Sequence, residues 1–271
     1  GVMGNAMAKH LMDAGYPVHV FTRSPQKAQN LIDAGALWFD SVEACVKGVD
    51  VVFTMVGYPK DVEEVYLGDN GILHHATPGT ICVDMTTSSP KLAQRLYQEG
   101  KIREISVLDA PVSGGDIGAR NATLAIMVGG DSDAFDEVFP LFEKLGKNIR
   151  HMGQTSFGQH TKMANQIAVA GAIAATTEAI LYAQASGLDA DKMLQAISTG
   201  AAGSWQLSNN GPKILKNDTA PGFYIHHFVK DMDLVTEEAQ GFQIELPVLN
   251  EVLKKYRTLL DEGHGMLGTQ A

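Results

Sequence analysis

A chain of 271 residues with 45% hydrophobic content is long enough to bury a sizeable core in one or two domains. Its formal net charge of −10 repels phosphate backbones, so no nucleic-acid partner is expected. The longest small-apolar stretch, 168–175, is broken by Gly171 and followed by Thr176, Thr177 and Glu178, well short of the roughly eighteen apolar residues of a membrane helix, so no membrane partner is expected either.

Residues 5–14 read as a helix stopped by Gly15. Residues 18–21 form a short strand. Ser24 and Pro25 then supply a cap and a first-turn proline to a helix that ends at Gly35. A short helix at 41–48 precedes 50–56, an apolar β-branched run of the kind buried on both faces of a sheet. Strands at 80–84, 105–110, 123–128 and 148–152 alternate with helices at 59–66, 90–99 and 133–145, the second opened by Ser89 and Pro90. Such alternation implies a mostly parallel sheet covered by helices.

After Gly153 the strand signals stop. Residues 159–186 are Ala-rich, with Ile167, Ala170, Ala174 and Leu181 at helical spacing, and further helices follow at 189–198, 231–241 and 247–262. The fold class is therefore α/β: an N-terminal Rossmann-type dinucleotide-binding domain over residues 1–153, then an all-α C-terminal domain over 154–271 built on a long helix. Small side chains on that helix allow close packing, so a homodimer or homotetramer is expected. Cys45 and Cys82 lie in apolar surroundings and read as buried thiols, which fits a reducing, cytoplasmic setting.

The chain opens Gly1-Val2-Met3-Gly4 before an Ala-rich helix, the tail of the pattern G-x-G-x-x-G; the pattern's first Gly and leading strand would lie upstream. In that motif the backbone approaches a pyrophosphate and the helix N-terminus offers it free N–H groups. Two glycines alone are equally a plain helix start. The next strand adds context: Val20-Phe21-Thr22-Arg23-Ser24 carries no acidic residue from His19 to Ala28, where an NAD enzyme places one for the ribose hydroxyl. Arg23 stands about there, beside Ser24 and near Lys27. A guanidinium suits a 2′-phosphate, so NADP is favoured over NAD, the alternative being a solvated loop charge.

Three further motifs follow: Asp109-Ala110-Pro111-Val112-Ser113-Gly114-Gly115 after a strand, Gly158-Gln159-His160-Thr161-Lys162-Met163-Ala164-Asn165-Gln166 opening the long helix, and Lys230-Asp231 opening a later one. With the amino-terminal glycines and in this order, they resemble the β-hydroxyacid dehydrogenases over essentially the whole chain. That family includes 3-hydroxyisobutyrate dehydrogenase and tartronate semialdehyde reductase. The resemblance implies hydride transfer between a nicotinamide cofactor and a short β-hydroxy acid or semialdehyde carboxylate. It makes Lys162 and Asn165 the catalytic residues. Ser113, Gly114 and Gly115 would bind the substrate carboxylate, which also suits a turn with a hydroxyl and exposed N–H groups. Thr87 would border both nicotinamide and substrate, Val56 and Gly57 the cofactor, and Lys230 would reach the cofactor from the helical domain.

Lys162 suits a general acid that protonates the alkoxide formed when hydride reaches a carbonyl. Asn165, three residues on, shares its helical face. Where the family pattern often continues with a second Asn, this chain has Gln166, one methylene longer. Asp231 reads as an N-terminal helix charge rather than a catalytic acid. Gly203, Ser204 and Trp205 line a pocket wall, or Trp205 is core. His226-His227 lacks companions at ligand spacing, so no metal is expected. Two alternatives stand: an oxidative decarboxylase resembling 6-phosphogluconate dehydrogenase, which needs a longer helical domain than the 109 or so residues after Lys162 (271 less 162), and a non-catalytic NADP-binding scaffold.

Overall fold

Apolar β-branched runs bounded by turn residues need partners on both sides, and in this chain they find them in one sheet. In the computed structural model, which describes residues 1–271, α1 spans Val2–Asp13. β1 (His19–Val20) and β2 (Leu37–Trp38) pair in parallel around a 3-10 turn at Pro25–Ala28 that runs into α2 (Gln29–Asp33). α3 (Val42–Val46) is capped by Ser41, whose hydroxyl accepts from the Ala44 N–H at 3.2 Å. There follow β3 (Val51–Thr54), α4 (Pro59–Leu67), α5 (Ile72–His75), β4 (Ile81–Asp84), α6 (Pro90–Ile102), β5 (Ser106–Asp109), β6 (Val112–Ser113), α7 (Gly115–Arg120), β7 (Leu124–Gly129), α8 (Ser132–Phe142) and β8 (Gly146–Gly153). α9 covers Phe157–Ala185, α10 Ala190–Ile197, and a π-type turn at Gln206–Asn210 leads into α11 (Gly211–Leu215). α12 (Ile225–Gly241) and α13 (Pro247–Asp261) complete the chain.

Contacts divide it into two units, Gly1–Lys162 and Met163–Ala271. The first holds a six-stranded sheet in the order β3-β4-β5-β7-β6, with β8 paired to β7. β3, β4 and β5 are parallel, as are β7 and β8, but β7 runs antiparallel to β5 and β6. The sheet is thus more mixed than the alternation of strand and helix implies. Its reversal is made by a two-residue strand, β6, and by Gly114 and Gly115, whose φ values of 132° and 62° only glycine adopts freely. Elements this short carry no periodicity to read. β3 sits at the sheet edge and is half-buried, whereas β4, flanked on both sides, is buried throughout.

Each face of the sheet carries its own core. Val83, Leu108 and Val128 pack with Met7 and Leu11 of α1 and with Val138 and Phe142 of α8. Cys82 and Val107 face Val62 and Tyr66 of α4 and Leu96 of α6. Burial pushes the Cys82 thiol up to about 12 and that of Cys45, only partly buried, up to about 11, so both stay protonated and unreactive.

In the second unit Met163, Ala170 and Ile173 of α9 pack against Phe228, Met232 and Val235 of α12 and Leu249, Val252 and Tyr256 of α13. By length and composition α9 is apolar enough to cross a membrane, with a window of mean hydropathy 1.3. The run of unbroken apolar residues missed this because Gly171, Thr176 and Thr177 interrupt it without adding charge. α12 begins at Ile225, six residues before Asp231, because its N-cap position is Tyr224, whose side chain makes no cap bond. Asp231 is therefore a mid-helix residue, and the reading of it as a helix-start charge is corrected.

Phe142 is fully buried where α8 meets the sheet. Phe142→Ala is expected to lower unfolding free energy by about 3–5 kcal/mol, read from urea unfolding at pH 7; a loss below about 1 kcal/mol would mean this core face is not packed as described.

Candidate active site

Four strands of the sheet end at a common level, three of them in polar residues. Thr54, Asp84, Asp109 and Gly129 are register partners across β3, β4, β5 and β7. Ligands in open α/β sheets bind outside these ends. Asp84 is buried and accepts from the Thr54 hydroxyl and the Thr86 N–H, both at 3.1 Å. The Tyr66 hydroxyl joins this group 3.0 Å from that of Thr54. The Thr86 hydroxyl in turn accepts from the Val56 N–H at 3.0 Å, tying the end of β3 to the loop after β4. Val56 and Gly57 therefore follow the end of β3 beside that loop.

Asp109 opens the motif that carries Ser113, Gly114 and Gly115, and its side chain turns to the start of α9. Oδ1 accepts from the Ser156 N–H at 2.7 Å and Oδ2 from the Gln159 N–H at 2.8 Å. Ser156 is the N-cap of α9, since its carbonyl accepts from His160, and it holds a φ of 74°. That left-handed conformation costs on the order of 1 kcal/mol in a non-glycine residue, and the carboxylate offsets it. The helix comes close enough that a Cβ on Gly158 would collide with the carbonyls of Asp109 and Met127. A Cβ on Gly129 would lie 2.7 Å from Asp109 Oδ1. Burial pushes the Asp109 carboxyl up to about 7 against the pull of the Gln159 and Ser156 N–H groups, and Asp84 adds to the rise.

Gln159 extends the same junction. Its Nε2 donates to the Thr86 carbonyl at 2.8 Å and its Oε1 accepts from the Ser88 N–H at 2.9 Å. One buried amide thus grips the backbone on both sides of Thr87, which is half-buried between two buried neighbours. One turn further along α9 comes Lys162, 7% exposed. Lysine is almost never buried to this degree without a partner or a function. Sequence reading passed over Gln159 and the role of Asp109. Their positions inside the two most specific motifs were the signal, but their contacts bridge 71 and 47 residues, a separation that no local pattern reports.

The amino-terminal turn of the first unit is also ordered by hydrogen bonds. Gly1 is the N-cap of α1, and the Asn5 N–H makes the first helical bond, to the Gly1 carbonyl. The N–H groups of Val2, Met3 and Gly4 thus have no intrahelical acceptor. A Cβ on Gly4 would meet the Met55 Cβ at 3.7 Å, ordinary contact, so the helix approaches less tightly than the glycine suggests. Asn5 and Asn30 bond reciprocally at 2.8 and 2.9 Å, and Asn5 also donates to the Lys27 carbonyl. These bonds fix α1 to the turn after Arg23 and Ser24. Ser24 makes no cap bond with its side chain. The Arg23 guanidinium is 79% exposed and lies 3.5 Å from Asp61, a residue the sequence reading missed. Asp61 itself caps α4 by accepting from the Tyr58 N–H at 3.0 Å.

In the second unit four polar residues form a chain. Asn165 Nδ2 donates to Gln166 Oε1 at 2.8 Å, and Gln166 Nε2 donates to Asp231 Oδ2 at 2.7 Å. The Lys230 ammonium lies 2.8 Å from Asp231 Oδ1, an ion pair without the alignment of a hydrogen bond. Trp205 is 57% exposed and so is not core, while the Ser204 hydroxyl accepts from the Leu207 N–H. His226 Nδ1 donates to the Gly265 carbonyl at 2.7 Å, a structural bond, and no group of three His, Cys, Asp or Glu side chains is placed to hold a metal.

Two sequence families match. One, described as the NAD binding domain of 6-phosphogluconate dehydrogenase, covers residues 1–153. The other, described as NAD-binding of NADP-dependent 3-hydroxyisobutyrate dehydrogenase, covers residues 156–271. An uncharacterised oxidoreductase of Bacillus subtilis (strain 168) is 49% identical over 271 residues, all of this chain and 94% of its own length. The 2-hydroxy-3-oxopropionate reductase of Escherichia coli (strain K12) is 39% identical over 271 residues, 100% of this chain and 92% of its own. A solved structure of Mycobacterium tuberculosis 3-hydroxyisobutyrate dehydrogenase with L-serine superposes with a TM-score of 0.91 at 30% identity, covering 100% of this chain and 94% of that one.

Asp109 makes stability depend on pH with a defined sign. Its carboxyl is raised in the folded chain from 3.8 to about 7, so its contribution is fully present below about pH 4 and is lost as pH rises through about 7. In urea unfolding from pH 4 to 8, the wild type should lose up to roughly 4 kcal/mol relative to Asp109→Asn, which has no proton to release. A difference between the two that does not change with pH would show that this carboxyl titrates as it does in the unfolded chain.

Proposed function

Because the chain belongs to the β-hydroxyacid dehydrogenase family and so is an NAD(P)-dependent oxidoreductase acting on a CH–OH group, we propose that it interconverts a short β-hydroxy acid and the corresponding semialdehyde carboxylate using NADP(H). The observation that carries this reading is Lys162, a buried lysine one turn from a helix start that is clamped to the sheet by Asp109 and Gln159. The reductase and dehydrogenase names of the relatives support the substrate class, tartronate semialdehyde and 3-hydroxyisobutyrate among its members. The 6-phosphogluconate dehydrogenase match stops at residue 153, and the helical unit matches the 3-hydroxyisobutyrate dehydrogenase description instead, which favours this reading over a decarboxylase.

The residues present fit a phosphorylated dinucleotide. α1 opens with N–H groups that have no intrahelical acceptor, and Arg23 offers an exposed guanidinium on a loop with no carboxylate of its own. When bound, the nicotinamide supplies or accepts the hydride. The chain's own residues do the rest. In reduction the carbonyl π bond opens toward oxygen as its carbon gains a hydride, and Lys162 delivers a proton from Nζ to that oxygen; in oxidation Lys162 takes the hydroxyl proton back. Ser113 and the backbone at Gly114 and Gly115 hold the substrate carboxylate, and Thr87 is held by Gln159 to border the reacting carbon. Asn165 offers its amide to the substrate.

Oxidation of NADPH at 340 nm is expected with a panel of short semialdehyde acids. Lys162→Ala should lower kcat by about 10²- to 10⁴-fold while the NADPH dissociation constant stays within about threefold. Tight NADPH binding without turnover by the wild type on any member would favour the scaffold alternative. Arg23→Ala should raise the KM for NADPH by about 10- to 100-fold, the loss of one charge-assisted pair, and leave that for NADH nearly unchanged. Equal use of the two cofactors by the wild type would remove Arg23 from this role.

A further inference from the structure

Hydrogen-bond polarity along the four-residue chain of the second unit is determined from one end. Asp231 is 2% exposed and sits in the middle of α12. A carboxylate only accepts hydrogen bonds. Gln166, also 2% exposed, must therefore present Nε2 to Asp231, as it does at 2.7 Å. Its Oε1 is then the only end left to face Asn165, so Asn165 must present Nδ2, as it does at 2.8 Å. The outcome is that the Asn165 amide has its oxygen left for an incoming donor. An amide with no such neighbour is free to turn over and exchange its two ends.

Length matters as much as polarity. Successive residues on a helix do not face each other, so a bond between the side chains of Asn165 and Gln166 needs one of them to bend back. Gln166 bonds Asn165 and also spans to Asp231 on α12, and its extra methylene over Asn provides the reach. The residue that departs from the common family pattern is thus the one that joins Asn165 to Asp231, and the Lys230 ammonium sits on the far oxygen of the same carboxylate.

We propose that Gln166 is a positioning residue which, anchored by Asp231, orients the Asn165 amide so that its Oδ1 faces the substrate as an acceptor, while the proton of the reacting hydroxyl is left to Lys162. The proposal rests on the functional reading above. It assigns to the substrate a donor at Asn165 other than the reacting hydroxyl. It also makes the identity of residue 166 a determinant of turnover rather than of cofactor affinity.

The test has a readout that does not need turnover. In protein labelled with 15N-asparagine, the side-chain amide of Asn165, assigned by its loss in Asn165→Asp, should show one proton protected from solvent exchange. Gln166→Leu should cut that protection by about tenfold or more, the cost of one buried hydrogen bond. Gln166→Asn, which keeps the amide but not the reach, should do the same and serves if the Leu variant does not fold. In the assay, both should lower kcat by about 10- to 100-fold, with the NADPH dissociation constant within about twofold. Absence of protection in the wild type overturns the relay. Lost protection with unchanged kcat per folded molecule overturns its positioning role. A protected Asn165 in a wild type that turns over no hydroxy acid or semialdehyde sinks the functional reading, and with it the role assigned to Oδ1.

Discussion

The start of α9 depends on a single carboxylate at the end of β5. The helix leaves its strand through Ser156, which holds an unfavourable backbone angle, and its first turn lies too close to the sheet for any side chain at Gly158. Asp109 meets both demands, since each of its oxygens takes one backbone N–H that the helix leaves unpaired. A carboxylate beside a helix N-terminus is also favoured by the helix dipole. Burial works against this, and the raised carboxyl is the measure of that opposition. The junction is thus held by an interaction that is strong in geometry and strained in charge.

Gln159 extends that placement to the loop after β4. Its amide satisfies a carbonyl and an N–H on the two sides of Thr87, so the loop cannot shift along the helix without leaving both unpaired. An unpaired buried backbone group costs about 1–3 kcal/mol. The second unit repeats the logic with different parts: an acceptor-only carboxylate, Asp231, determines which way the Gln166 amide points, and that amide determines the next. In both units the residues that touch substrate in the proposed reaction are oriented by buried residues whose bonding leaves them no second arrangement.

The layout of strands and helices was legible because it is periodic. Buried strands such as β4 are unbroken apolar runs, and helices such as α6 announce themselves through Ser89 and Pro90. Features without periodicity were not legible. β6 and α7 are built by Gly114 and Gly115 in conformations that no pattern of apolar residues encodes, and α12 starts at a Tyr that makes no cap bond. The candidate residues Lys162, Asn165 and Lys230 were found from motifs, yet their supports were not. Asp61 beside Arg23, Asp109 beneath α9 and Asp231 beside Gln166 each act across 38 to 65 residues of chain, and only the folded structure brings them together.

In the proposed reading, Arg23 gives an acidic chain a site for an anion. With a net charge of −10 the surface as a whole repels phosphate, and Asp61 stands within 3.5 Å of the guanidinium. That pair is weak, because an ion pair of this length whose guanidinium is exposed contributes less than about 1 kcal/mol. A phosphate at hydrogen-bond distance in two-pronged contact is worth more than this, so Asp61 orients the guanidinium without holding it back. Asp61 is in turn anchored by the Tyr58 N–H at the start of α4. In the proposed reading the arrangement favours a doubly charged ligand over a neutral hydroxyl, since only the former pairs with the guanidinium as a charge. In the proposed reading, discrimination between the two dinucleotides rests on Arg23 more than on Asp61, whose weak pair a phosphate displaces at little cost.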